Sequence, residues 1–308
     1  TVRGEGGIGK TYLCERLARL ATDKGIHVAR SSLTVETGIG FISEFLWLLL
    51  PSELRHEMKS LGDVAMTEDF LNCVLSRMPN ALNDGACRAI AQLLLTERYP
   101  VENIEPTMQT IARLLVNTTK PLLFIASNCQ RIAEAPAHAL RVLLAALEQE
   151  GWGNVRVILE YRDTEESIGY SWCAIMQWLN RTIGHRCHEI VVGPLEKVKL
   201  IQSLKEVMVS SDINEATTLI VEKAGGNPLY LSNLFRALSE NRLLNTVAGT
   251  RTIVGQKFSL ASLPAVRDFV TTLGDHVETL LCDRISFWHE RTLTGARSGA
   301  IAIGLNAI

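Results

Sequence analysis

The residues with the clearest chemical potential lie near the start of the sequence, in the segment Gly4-Glu5-Gly6-Gly7-Ile8-Gly9-Lys10-Thr11. Its glycines let the backbone turn so that successive N–H groups point inward and bind an anion. Lys10 supplies a compact positive charge for phosphate oxygens, and the Thr11 hydroxyl suits Mg²⁺. The spacing therefore predicts a site for nucleotide phosphates and their magnesium ion.

This spacing fits G-x-x-x-x-G-K-[ST], the phosphate-binding loop (P-loop) of nucleoside triphosphatases. The glycines also satisfy G-x-G-x-x-G, a dinucleotide-binding pattern that requires an acidic residue about 20 residues further on. The strand predicted over residues 25–31 ends in Ala29-Arg30-Ser31 instead. We therefore favour the phosphate-binding loop and keep a dinucleotide site as the alternative. The predicted nucleotide-contacting residues of this segment are Gly4, Glu5, Gly6, Gly7, Ile8, Gly9, Lys10, Thr11 and Tyr12, with Thr11 as the metal ligand.

Hydrophobic patterns predict the elements that position this loop. Residues 11–22 predict a helix whose positive amino-terminal end faces the anion. Its apolar face consists of Leu13, Leu17, Ala18 and Leu20. Continuous apolar runs at residues 121–126 and 155–161 predict buried strands of a parallel sheet.

The other periodic segments predict helices, at residues 41–50, 68–78, 86–97, 107–117, 135–148, 196–208, 214–223 and 229–239. The predicted fold class is α/β, a P-loop parallel sheet flanked by helices and followed by an α-helical lid. The predicted domains are a P-loop domain over 1–192, a helical lid over 193–250, and the start of an incomplete helical or winged-helix-like module over 251–308.

Two strand ends carry the residues that decide the chemistry. In P-loop enzymes the strand at 121–126 normally ends in acids that organise Mg²⁺ and polarise water, but here Ser127-Asn128 follow. This predicts nucleotide binding with slow hydrolysis. The second strand ends in Arg162, which we predict to sense the γ-phosphate as a catalytic residue beside Lys10. An ion pair of Arg162 with Asp163 or a nearby carboxylate is the alternative.

Glu160 is unusual inside an otherwise apolar strand, because a buried carboxylate is costly unless it is paired. It could replace the lost metal-organising acid. Alternatively it pairs with a buried Arg or Lys, or lies on a less buried face.

Composition sets bounds on this account. The 308 residues are 47% hydrophobic and 21% charged with a formal net charge of −2, which gives no electrostatic footprint for nucleic acid or an anionic membrane. Seven cysteines without a C-x-x-C pair favour reduced thiols and a cytoplasmic location. Only Thr1-Val2-Arg3 precede the loop as a strand, so we expect a fragment of a longer polypeptide or an incomplete gene model.

Several segments occur in the order seen in one known family: Gly4–Thr11, Ser127-Asn128, Tyr161-Arg162-Asp163, Val192–Leu195 and Gly225-Gly226-Asn227-Pro228-Leu229-Tyr230-Leu231. Over residues 1–245 the chain resembles STAND-type AAA ATPases, the modules of large bacterial transcription regulators and of proteins with adenylate cyclase domains. The resemblance implies that Pro228 contacts the nucleotide near the adenine. That family usually has Asp-Asp where this chain has Ser127-Asn128. The chain therefore has a degenerate form of the Walker B motif, the strand end that carries these acids.

The expected function is an ATP/ADP-binding, Mg²⁺-dependent regulatory switch within a larger signalling or transcription-regulatory protein. Flanking domains or protein partners are expected, without direct nucleic-acid contact in this segment and without a membrane. Two alternatives stay open: an ATPase that uses a displaced acid, either Glu160 or a residue in trans, and a pseudo-ATPase scaffold that does not need nucleotide.

Overall fold

The computed structural model describes residues 1–33, 104–163, 168–209, 213–252, 255–274 and 279. The chain forms two compact units, one of residues 1–5 and 10–192 and the other of residues 6–9 and 193–308. The helices predicted at 41–50, 68–78 and 86–97, and the segment 275–308 apart from residue 279, lie outside the described residues.

The first unit contains a five-stranded sheet in the order β2-β3-β4-β1-β5, and every neighbouring pair is parallel. Its strands are β1 Val2–Gly4, β2 His27–Ser32, β3 Leu122–Ser127, β4 Val155–Arg162 and β5 Ile190–Val191. Its helices are α1 Lys10–Asp23, α2 Ile104–Val116, α3 Glu134–Gln149 and α4 Tyr170–Thr182. The predicted α/β fold with a parallel sheet flanked by helices is confirmed.

Continuous apolar sequence explains the central strands. In β3, Leu122, Phe124, Ile125 and Ala126 are all buried, as expected for a parallel strand covered on both faces. Helix α3 adds a stripe of buried leucines at helical spacing. These are Leu140, Leu143, Leu144 and Leu147. Each fully buried leucine side chain contributes about 1.5–3 kcal/mol, so this packing stabilises the first unit.

Helix α1 packs on the sheet through small residues. Cys14, Ala18 and Ala21 are buried at i, i+4 and i+7, and Cys14 and Ala18 share a cluster with Val2 and Ile125. The expected inclusion of Leu20 in the apolar face was wrong, because that side chain is 49% exposed. Small side chains allow α1 to approach the sheet closely, so the buried stripe follows residue size as well as hydrophobicity.

The second unit is mainly helical. Its helices are α5 Lys197–Val207, α6 Ile213–Ala224, α7 Pro228–Glu240 and α8 Leu263–Thr272. They pack around a shared core that includes Ile220, Val221, Leu234 and Leu238. A small sheet in the order β6-β8-β7, which the helical pattern did not predict, joins them. Its strands are β6 Met208–Val209, β7 Leu244–Thr252 and β8 Gly255–Leu260.

Among the described residues, no helix is both long and apolar enough to cross a membrane.

Candidate functional site

The predicted loop leaves the carboxyl end of β1 at Gly4, and α1 begins at Lys10. In open α/β sheets ligands bind outside the carboxyl ends of the strands. The Lys10 side chain is 5% exposed, and its Nζ donates to the carbonyl oxygens of Gly4 at 2.7 Å and Glu5 at 2.6 Å. The start of α1 therefore carries a buried ammonium group.

Strand β4 lies directly beside β1. Val2 is paired with Glu160 and Gly4 with Arg162, so both polar residues of β4 fall at the level of the strand that delivers the loop. The pairing therefore places β4 beside the strand that precedes the loop. It brings Glu160 to the first turn of α1.

Thr11 and Glu160 are in contact. The Thr11 hydroxyl donates to Oε1 of Glu160 at 3.0 Å, and Glu160 is 4% exposed. Its Oε2 is buried and has no hydrogen-bond partner among the described residues. Thr11 as a residue is solvent-exposed. The site therefore combines the hydroxyl of an exposed residue with a buried carboxylate of which one oxygen has a partner among the described residues.

Glu160 also contributes to the electrostatics of its neighbours. Burial lowers the pKa of Lys10, and the Glu160 charge opposes that change. Burial, followed by the Glu160 charge, raises the pKa of the Cys14 thiol to about 11. The same two causes, in the same order, raise the pKa of the Cys129 thiol. Among the charged groups acting on these three residues, Glu160 has the largest influence.

The end of β3 carries no carboxylate. Ser127 is its last residue and lies opposite Ser32 of β2. Asn128 follows in the left-handed region with a φ of 59°, a conformation that asparagine tolerates better than most residues. Its Nδ2 donates to Ser32 Oγ at 3.0 Å. The Ser127 carbonyl oxygen accepts from the backbone N–H of Leu33 at 2.8 Å, so both residues hold the strand end through neutral hydrogen bonds.

Arg162 ends β4 and is partly buried. Its backbone N–H donates to Oε1 of Gln130 at 3.2 Å, and Gln130 is 1% exposed. Among the described residues, the Arg162 side chain forms no ion pair with Asp163 or any other carboxylate. Sequence reasoning missed Gln130, although a glutamine just after a buried strand was the available signal.

In the second unit, residues 6–9 contact the turn that precedes α7. Asn227 Oδ1 accepts from the backbone N–H groups of Leu229 at 3.0 Å and Tyr230 at 3.2 Å, which caps α7. Asn227 Nδ2 donates to the Gly6 carbonyl oxygen at 2.9 Å. Pro228 is the first residue of the helix. The Asn-Pro pair is a helix-start signal, but its contact with Gly6 is not visible in the sequence.

Two other residues predicted to contact nucleotide have contrasting exposure. Ile8 is 3% exposed, so its side chain is a core group and only its backbone is suited to a ligand, whereas Tyr12 is 68% exposed.

A cavity of about 600 Å³ in the first unit is a separate feature. It opens near the amino-terminal ends of β1 and β4, with Thr1, Trp152 and Val155 in its lining, and none of residues 4–11 line it.

No family model and no curated protein matches the chain. Solved structures that are similar to the chain include the following three. Cdc6p from Pyrobaculum aerophilum has a TM-score of 0.42 and 15% identity, and the match covers 78% of this chain and 55% of that chain. The Aeropyrum pernix Orc1 protein in complex with DNA has a TM-score of 0.40 and 12% identity, and the match covers 78% of this chain and 54% of that chain. C. elegans PCH-2 has a TM-score of 0.36 and 12% identity, and the match covers 92% of this chain and 61% of that chain.

The chain thus spans less than two thirds of the length of these structures. Since each TM-score is below 0.5, the fold assignment rests on the strand order and on the loop between β1 and α1.

Proposed function

We propose that this chain binds ATP or ADP together with Mg²⁺ and acts as a regulatory switch module of a larger signalling or transcription-regulatory protein. The observation that carries the proposal is the start of α1, where buried Lys10 follows the glycine loop and Thr11 lies against a carboxylate. The resemblance to STAND-type ATPases supports the regulatory part, including flanking domains or protein partners.

The proposed roles follow the chemistry of each residue. Backbone N–H groups of residues 4–9 bind the phosphates, and Lys10 binds the β- and γ-phosphate oxygens. Thr11 is a protein ligand of the metal ion, whose role is to neutralise phosphate charge. Arg162 senses the γ-phosphate, because it ends the strand beside the loop without a carboxylate partner among the described residues. Pro228 contacts the base, as the family resemblance implies.

The proposed switch follows from differential binding. A ligand shifts a conformational equilibrium only by its difference in affinity for the two states. ATP has a γ-phosphate for Lys10 and Arg162 to bind, and ADP lacks it. Slow hydrolysis preserves this signal, since β3 ends in Ser127, Asn128 follows it, and neither is an acid that could polarise water.

A thermal-unfolding experiment tests the binding. At a hundredfold excess over its Kd, a ligand that binds only the folded state stabilises it by about 2.7 kcal/mol. We expect ATP and ADP with Mg²⁺ to raise the unfolding temperature by several degrees, and NAD⁺ to leave it unchanged. A rise with NAD⁺ and none with ATP would favour the dinucleotide site. A temperature unaffected by any of the three would favour the nucleotide-independent scaffold.

A second candidate, an active ATPase with a displaced acid, is favoured by one observation. Glu160 is a carboxylate in hydrogen-bond contact with Thr11, and an acid so placed could restore turnover. Comparing phosphate release by the unmodified protein and a Glu160→Gln variant separates the two. An active enzyme that depends on this acid would lose most of its turnover, whereas the switch has little to lose.

A further inference from the structure

We propose that Glu160 is the carboxylate that organises the magnesium ion of the bound nucleotide, in place of an acid at the end of β3. The inference rests on the proposed Mg²⁺-nucleotide function and assigns the residue that makes the binding metal-dependent. The acids that normally follow this strand organise Mg²⁺ and polarise water. In the proposal Glu160 takes over the first of these tasks, metal binding, but not the second, the activation of water.

The first support is the contact between Glu160 and Thr11. A hydroxyl has one hydrogen to donate and two lone pairs to offer. Thr11 donates its hydrogen to Glu160 Oε1 at 3.0 Å, which leaves its lone pairs for a cation. Groups that accept a hydrogen bond from a metal ligand fix the ligand's orientation and raise its basicity. Glu160 is therefore placed to prepare Thr11 as a ligand.

The second support is that no cationic side chain is in ion-pair contact with Glu160 among the described residues. The side chain is 4% exposed, and its Oε2 is buried without a hydrogen-bond partner among the described residues. Among the residues that the structure describes, no Lys or Arg side chain lies within ion-pair distance of the Glu160 carboxylate. A buried carboxylate is costly unless paired, and a divalent cation at Thr11 would supply the missing positive charge.

The donor set fits magnesium. Mg²⁺ prefers oxygen ligands and is usually held in proteins by one or two carboxylates together with substrate phosphates, and it keeps several waters. Thr11 and Glu160 provide a hydroxyl and a carboxylate, and the loop of residues 4–9 is suited to the phosphates. A purely structural role, in which Glu160 only accepts the Thr11 hydrogen bond, would not require its negative charge.

The test uses Glu160→Gln, which keeps the shape of the side chain and an oxygen that accepts from Thr11 but removes the charge. ATP affinity is measured by calorimetry with Mg²⁺ and with EDTA. Glu189→Gln is the matched control, because Glu189 contacts Tyr161 and Arg3 of the same unit. Unfolding without nucleotide is measured for each variant to confirm that it folds.

We expect Mg²⁺ to tighten ATP binding by the unmodified protein and by Glu189→Gln. In Glu160→Gln the affinity for Mg²⁺-ATP should fall about 10- to 100-fold, as for other groups that support a metal ligand. Its affinity for metal-free ATP should be unchanged. Equal tightening in Glu160→Gln and the unmodified protein would overturn the inference and leave the proposed function intact. No ATP binding by the unmodified protein would overturn both.

If Glu160→Gln does not fold, the unmodified protein still decides the matter. Fe²⁺ with ascorbate and peroxide replaces Mg²⁺ in the ATP complex and cleaves the backbone close to the metal. Cleavage next to Glu160 as well as Thr11, mapped by mass spectrometry, supports the inference. Cleavage confined to the segments around Thr11 and Ser127 contradicts it, because the metal would then be organised from β3.

Discussion

Replacing Lys10 by methionine is expected to weaken ATP binding about 10- to 100-fold. Lys10 is buried at the start of α1, and its Nζ already donates to two loop carbonyl oxygens, so its charge is held beside the glycine loop. A hydrogen bond to a charged group contributes about 1.5–3 kcal/mol, and 1.4 kcal/mol is a tenfold change in affinity. Methionine fills a similar volume and cannot bind phosphate.

Calorimetric titration with Mg²⁺-ATP measures this loss. Lys24→Met is the control, since Lys24 directly follows the last residue of the same helix and is exposed. It removes one positive charge without touching the loop, so its affinity should match that of the unmodified protein. If Lys10→Met binds ATP as tightly as Lys24→Met, the loop does not bind phosphate as proposed.

Replacing Gly7 by alanine is expected to destabilise the protein and to weaken ATP binding. Gly7 has a φ of +76°, and an added Cβ would lie 2.6 Å from Leu229 Cβ and 3.0 Å from Asn227 Oδ1. The left-handed conformation costs a non-glycine residue about 1–2 kcal/mol, and overpacking adds about 1–3 kcal/mol. Leu229 must move to relieve the contact, and Asn227, which holds Gly6 and caps α7, lies beside it.

Gly25→Ala is the matched control, because Gly25 has the same φ of +76° and an added Cβ there would meet nothing within 4 Å. It should show only the backbone cost, with ATP affinity unchanged. Denaturant unfolding and ATP titration of both variants separate strain from steric contact. Equal destabilisation by the two substitutions would show that the contact with Leu229 is unimportant.

The central elements were predictable because their patterns are strong. The continuous apolar runs that form β3 and β4 are typical of buried parallel strands. Both strands begin and end within about one residue of their predicted ends. Helices α5, α6 and α7 of the second unit likewise match segments with helical periodicity. The small sheet was missed because β6 is two residues long and β7 includes a glycine among mostly polar residues, so neither has a clear alternating pattern.

The sequence identified most of the residues of the candidate site, but it did not predict which of them contact one another. The spacing of the loop identified Lys10 and Thr11, and an acid in an apolar strand identified Glu160 as unusual. Which group Glu160 contacts depends on strand order, because β4 lies beside β1 only when the chain crosses over as it does here. The contact of Asn227 with Gly6 joins residues 221 positions apart in the chain. No local pattern reports such a pairing.

The most direct test of the account is a single-turnover experiment with the protein in excess over labelled ATP and Mg²⁺. It follows bound nucleotide and released phosphate in the same samples. The account predicts that the label stays bound as ATP for hours, since a missing general base slows a reaction about 10²- to 10⁴-fold. Prompt release of phosphate would contradict it, because another acid must then activate water, and an absence of bound label would exclude nucleotide binding altogether.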